Sequence, residues 1–190
     1  MLMTLAAVCG AGIGLGLCLG KWRPQASGVS KEDVLEAQKK WAGAIKSISA
    51  THKAGGDFVK AAGGAASELY GYGHGDVLFK PTKAAEYAFR PTGGEGMSYF
   101  VGGKNVDQGY DEDGGFAINN GKGWSNCVFE NHNIVVMGEV AISMGYYHFT
   151  CATTGDKVKV EVTFGYRRCD DGKVRIFLHH SSVPYVSAKN

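Results

Sequence analysis

The chain has 190 residues, 44% of them hydrophobic, which suits one domain of ordinary size plus a tail and allows a substantial core. Its 20 basic and 18 acidic residues leave a formal net charge of +2. No basic run of the kind that follows a phosphate backbone occurs, which argues against nucleic acid as a partner. The five cysteines, at positions 9, 18, 127, 151 and 169, contain no CxxC pair. Neither a disulfide framework nor a zinc ribbon is expected, and whether Cys151 and Cys169 meet across a sheet stays open.

Residues 2–19 are uncharged and apolar, broken by Gly10, Gly12, Gly14 and Gly16, and are followed by Lys21 and Arg23. That pattern reads as a targeting segment or weak anchor, with membrane contact confined to it. Residues 1–29 are therefore set apart as this segment plus a linker, and 30–190 as the folded domain. Ser30 opens a helix, with Asp33 placed to complete a capping box. Leu35, Gln38, Trp41, Ile45 and Ile48 mark one face of it to about Ser49. Thr51 is placed to cap a second helix reaching Tyr70, weakened by its glycines and ended by Gly71.

Beyond Gly71 the pattern turns to strands. Val77–Phe79 and Glu86–Arg90 read as short strands, Gly94–Phe100 as a short helix. Four strand-like runs follow: Cys127–Glu130, Ile134–Met137, Val140–Thr150 and Lys157–Arg167. Thr153–Asp156 and Asp170–Gly172 are hairpin turns between strands. In the last strand, Val174, Ile176 and Leu178 alternate with Arg175 and Phe177. Continuing that period of two puts His180 and Ser182 on the apolar face and His179 and Ser181 on the other. Pro184 ends the ladder.

Two helices, a small third one and a meander of long strands describe an α+β fold. A curved antiparallel sheet would wrap around the long N-terminal helix as a cone with a cavity at one end, the nuclear-transport-factor-2-like architecture. The motifs Leu78-Phe-Lys-Pro-Thr-Lys-Ala-Ala85, Phe89-Arg-Pro-Thr92, Ser98-Tyr-Phe-Val-Gly-Gly103, Gly115-Phe-Ala117, Ala141-Ile-Ser-Met-Gly-Tyr-Tyr147, Val162-Thr-Phe-Gly-Tyr166 and Leu178-His-His-Ser-Ser-Val-Pro-Tyr185 occur in that order. Together they resemble the iota class of carbonic anhydrases, whose domain is related to the association domain of calcium/calmodulin-dependent protein kinase II. The resemblance spans about Ser30 to Tyr185. It implies reversible hydration of carbon dioxide to bicarbonate, a homodimer and, in algae, a chloroplast protein. Its pocket residues carry over to Thr82, Tyr99, His180 and Ser182. Thr92 shares the Pro-Thr context of Thr82 and is the other candidate for that position. Thr92, Ser98, Ser181 and Tyr185 lie in the same motifs as candidates for substrate contact, and His179, Ser181 and Tyr185 also read as support or interface.

The chemistry is consistent with the residues. Zinc catalysis needs three protein ligands and an open position, but the six histidines form no HxH or HxxxH pair. Adjacent His179 and His180 point to opposite faces of a regular strand. No metal and no cofactor is expected; hydroxyls and an imidazole would polarise the water, with His180 as proton acceptor. Two rivals compete with this reading. One is a non-catalytic oligomerisation module of the kinase association type. The other is an isomerase of the same fold, which needs an inward carboxylate as base, and Glu161 lies on the face opposite Val160 and Val162.

Overall fold

Ser30 caps the long helix as expected: its Oγ accepts from the Asp33 N–H at 3.1 Å while Asp33 accepts from the Ser30 N–H at 2.9 Å. The computed structural model describes residues 28–187, and the apolar segment 2–19 lies outside the described residues. Helix α1 (Lys31–Lys53) runs four residues past the expected end, and α2 (Phe58–Leu69) starts at an Asp57 cap instead of Thr51. After β1 (Leu78–Lys80) come α3 (Gly93–Val101) and two 3-10 turns, and then β2 (Trp124–Met137), β3 (Val140–Cys151), β4 (Lys157–Arg168) and β5 (Val174–Ser182). The sheet order is β1-β5-β4-β3-β2, antiparallel except for the parallel pair β1–β5.

The fold is the expected α+β cone, its curved sheet closed over α1. Trp41 is the hub. It is buried, with its ring centroid 5.4–6.2 Å from those of Phe129, Tyr147, Phe149, Phe164 and His179. Truncating a ring in such a position costs about 3–5 kcal/mol. Gln38, Ile45 and Ile48 share its buried face, whereas Leu35 is 45% exposed. Cys151 and Cys169 are both buried and free; they sit at opposite ends of the β3–β4 pair and do not meet.

Three local expectations are corrected. Cys127–Glu130 and Ile134–Met137 are one strand, interrupted by a register shift between Asn131 and Asn133. Glu86–Arg90 is not a strand. The N–H groups of Ala85, Glu86 and Tyr87 go to the Glu112 carboxylate at 2.8–3.0 Å, so a side chain takes the donors a ladder would have used. The third correction concerns β5. Gly165 pairs with Leu178 but the next residue, Tyr166, pairs with Ile176, leaving Phe177 as an extra residue in β5. One inserted residue reverses the facing of everything after it. Ile176 is buried, and beyond the bulge His179 and Ser181 are the buried residues, each 2% exposed, while His180 faces out.

Gly165 permits this bulge. A Cβ there would lie 2.8 Å from the Leu178 Cβ and 2.9 Å from the Phe177 ring. Gly165→Ala is expected to destabilise the domain by about 1–3 kcal/mol, the usual range for overpacking. The check is a lowered urea midpoint at unchanged m-value; a midpoint equal to wild type would show that the bulge does not need the glycine.

Candidate active site

The bulge delivers two side chains of β5 into the interior, and β1 delivers a third. β1 pairs with β5 as far as Lys80–His180. Pro81, which has no N–H to offer, then ends the strand. Thr82 follows it and donates its hydroxyl to Ser181 Oγ at 2.8 Å. Thr92, the other candidate, is the exposed N-cap of α3; its hydroxyl and its N–H both engage Glu95. Thr82 is thus the interior threonine.

Tyr99 enters from α3. Its ring stacks on Phe116 (5.5 Å between centroids) and meets Phe79 edge-on (5.8 Å). Its hydroxyl is buried without a hydrogen-bond partner of its own. Burial raises the Tyr99 and Tyr147 phenols well above their ordinary pKa. The rise at Tyr147 is softened by the hydroxyls of Ser181 and Thr82, that at Tyr99 by the Lys83 backbone and Thr82. Four hydroxyl side chains from four elements therefore converge: Thr82, Tyr99, Tyr147 and Ser181.

His179 stands behind them, sandwiched between the rings of Phe79 (4.7 Å) and Phe164 (4.1 Å). Tyr70 OH lies 2.8 Å from its Nδ1, and Tyr147 OH 3.5 Å from its Nε2. Desolvation, helped by the charge of His180, pushes its pKa down to about 3, so it is neutral at pH 7. Beside the hydroxyl cluster, Tyr99 and Lys83 line a cleft of about 110 Å³. Asp113 and Glu112 line the same cleft and hold the fully buried Arg90 at 2.9 and 3.3 Å. Burial opposes ionisation of Glu112, but its three backbone donors and Arg90 outweigh that and lower its pKa to about 2.

The other expected positions stand elsewhere. His180 and Ser182 face outward on the sheet, with Ser182 Oγ 3.4 Å from Glu161, because the count of two does not survive the Phe177 bulge. Ser98 is buried but spent on structure, donating to Asp113 at 2.6 Å and accepting from the Tyr110 N–H at 2.9 Å. Tyr185 is 87% exposed. Of the four candidates for substrate contact, only Ser181 joins the cluster. Tyr70, Tyr147 and His179 were not among the expected pocket residues. The one sequence signal for His179 was Gly165, since a glycine inside a strand marks a bulge in its neighbourhood.

Among the described residues, one group of three potential metal ligands brings its ligand atoms within 4.8 Å of one another: His74, Asp170 and Asp171, all exposed. Both Asp171 oxygens already bind Arg175, at 2.8 Å each.

Comparison with known proteins identifies the family and the fold. The sequence model of the family described as metal-independent carbonic anhydrase matches residues 32–183. A metal-independent carbonic anhydrase of Nostoc sp. strain PCC 7120 is 38% identical over 163 residues, which are 83% of this chain and 75% of that protein. The crystal structure of a cyanobacterial iota-carbonic anhydrase complexed with bicarbonate superimposes with a TM-score of 0.75 at 35% identity, covering 84% of this chain and 95% of the other. A protein of the nuclear-transport-factor-2-like family from Streptomyces avermitilis shares the fold alone, with a TM-score of 0.52 at 14% identity over 82% of this chain and 96% of its own. With the family model spanning nearly all of the folded domain, the chain belongs to the metal-independent carbonic anhydrases, lyases that interconvert carbon dioxide and bicarbonate.

Proposed function

We propose that carbon dioxide is hydrated at the hydroxyl cluster formed by Thr82, Tyr99, Tyr147 and Ser181, without a metal ion. The observation that carries this is the Thr82–Ser181 hydroxyl pair at 2.8 Å beside the unpartnered Tyr99 hydroxyl, inside an aromatic wall. A bicarbonate-bound relative of the same fold supports it.

The donor directions suggest the chemistry. Thr82 gives its proton to Ser181, so its lone pairs are free to accept from a water and the Ser181 proton is free to donate onward. As the water oxygen attacks the carbon, one C=O π pair moves to oxygen, where Ser181 and Tyr99 O–H groups hold the growing charge. The water proton passes to Thr82, the Thr82 proton to Ser181, and the Ser181 proton to that oxygen. Atoms balance as carbonic acid, which ionises in solvent, and each hydroxyl ends as neutral as it began. Such a relay needs no strong base, in keeping with a cluster whose imidazole is neutral and whose phenols ionise only at high pH.

The same reading includes a homodimer. The outer face of β2 and β3 leaves Val128, Val135, Met137 and Met144 exposed, and apolar surface of this kind favours a partner. The targeting role of residues 2–19, and with it a chloroplast or other compartment, is part of the proposal.

Three outcomes are expected. Ser181→Ala and Thr82→Val lower the hydration kcat/KM on the order of 100-fold in stopped-flow assays, while Thr82→Ser, His180→Ala and Ser182→Ala stay within a few-fold of wild type, with or without chelator. Equal losses in the outward pair, or activity restored by one added ion after chelation, would sink the reading. The pH profile of kcat is expected to be flat from about 6 to 9. His179 gains a proton only as pH falls toward about 3, and the buried phenols lose theirs only far above neutrality. A rise through pH 7, as for zinc-bound water, would contradict the relay. Met144→Asp is expected to halve the molar mass seen by light scattering, and a monomeric wild type would dismiss the dimer.

A further inference from the structure

We propose that Tyr70 is a positioning residue that fixes the tautomer of His179 and thereby aims the Tyr147 hydroxyl at the Thr82–Ser181 pair. The inference deepens the reading above and rests on it for its effect on rate, though not for the tautomer itself.

The indole N–H of Trp41 can only donate, and it donates to the Tyr70 oxygen at 3.0 Å. That leaves the Tyr70 proton to be placed. Tyr70 is 2% exposed, and the second group its hydroxyl meets among the described residues is His179 Nδ1 at 2.8 Å. If Nδ1 carried a proton, the Tyr70 oxygen would accept twice and its own proton would be buried without an acceptor, at a cost of about 1–3 kcal/mol. Tyr70 therefore donates to a bare Nδ1. A neutral imidazole then carries its proton on Nε2, which faces the Tyr147 oxygen at 3.5 Å, the outer limit of a hydrogen bond. An oxygen that accepts from Nε2–H keeps its own proton for another partner, and the Ser181 and Thr82 hydroxyls are the groups beside it. In the opposite tautomer Tyr147 would turn its proton onto Nε2 and the cluster would lose a donor.

Few other groups can interfere. The imidazole is flanked by Phe79, Phe164 and Trp41, none of which titrates, and by the two tyrosines. His180 follows it on β5 but faces the other side of the sheet. The device is thus a chain from α1 through the end of α2 to β5 and β3, each link set by the one before it. It is the second-sphere logic by which a hydrogen bond to one ring nitrogen decides the proton on the other.

The test is the tautomer itself, read from long-range proton–nitrogen correlations of the His179 imidazole in wild type and in Tyr70→Phe, with hydration kinetics of both. Wild type is expected to show the proton on Nε2 alone. Tyr70→Phe, which deletes one oxygen, is expected to show mixed tautomers and a kcat lower on the order of ten-fold, with KM within two-fold. A wild-type proton on Nδ1 overturns the proposal at once, even if the variant does not fold. So does a folded variant that keeps either the single tautomer or the wild-type kcat. Failure of the pocket reading would look different: Ser181→Ala would then retain activity while the wild-type tautomer remained as expected.

Discussion

A buried imidazole held neutral among aromatic rings is the constraint on which the interior depends. Removing an imidazolium from water with no counter-charge nearby costs more than the site can return, so the proton leaves and the pKa falls to about 3. Once neutral, the ring has one donor and one acceptor, and both must be met by groups that can choose their role. Tyrosine hydroxyls can do so, a carboxylate only accepts, and an ammonium only donates. That accounts for the company His179 keeps: Tyr70 on one nitrogen, Tyr147 toward the other, phenyl rings above and below. Trp41 fixes both the packing and the polarity of this set, because its ring centres the aromatic cluster and its N–H starts the hydrogen-bond chain.

The same logic keeps charge out of the hydroxyl cluster while placing it next door. Arg90, Asp113 and Glu112 form an ionic group at the neighbouring cleft, and Ser98, itself held by the Tyr110 N–H, donates to Asp113. A buried ion pair contributes little net stability once desolvation is counted, but losing one partner is costly. Its structural consequence here is specific. Glu112 collects three successive backbone N–H groups from the segment that follows Thr82, so the loop carrying Thr82 to Ser181 is anchored by a carboxylate that Arg90 neutralises.

Much of this was legible in the sequence, and what was not has local causes. The capping box at Ser30, the buried face through Gln38, Trp41, Ile45 and Ile48, the two late hairpins and the cone itself follow from periodicity and turn chemistry, which act over a few residues. Thr82, Tyr99 and Ser181 lie in sequence motifs that point to a site, and the fold brings them together. His180 and Ser182 were placed inward by a count of two that assumes an unbroken ladder. The Phe177 bulge depends on how β5 meets Gly165 on a strand many residues away, and no period within β5 reports it. Glu86–Arg90 reads as a strand but is none for a related reason, since its first two donors, from Glu86 and Tyr87, are satisfied by a carboxylate more than twenty residues on.

The bulge also resolves how two adjacent His-Ser pairs can divide between two environments. A strand must send neighbours to opposite faces, so one pair is buried with the rings and the other meets water beside Glu161. The two faces suit different chemistry. The outward pair keeps ordinary solvation, so water screens whatever its groups develop. The inward pair is buried, and on the proposed reading a hydroxyl dipole there would act on developing charge with little screening. Where only weak, neutral groups are available, dryness and fixed direction are the means left to make them effective. A one-residue insertion in β5 therefore does more than adjust a register: it selects which serine of the pair is buried beside Thr82 and which is turned toward Glu161.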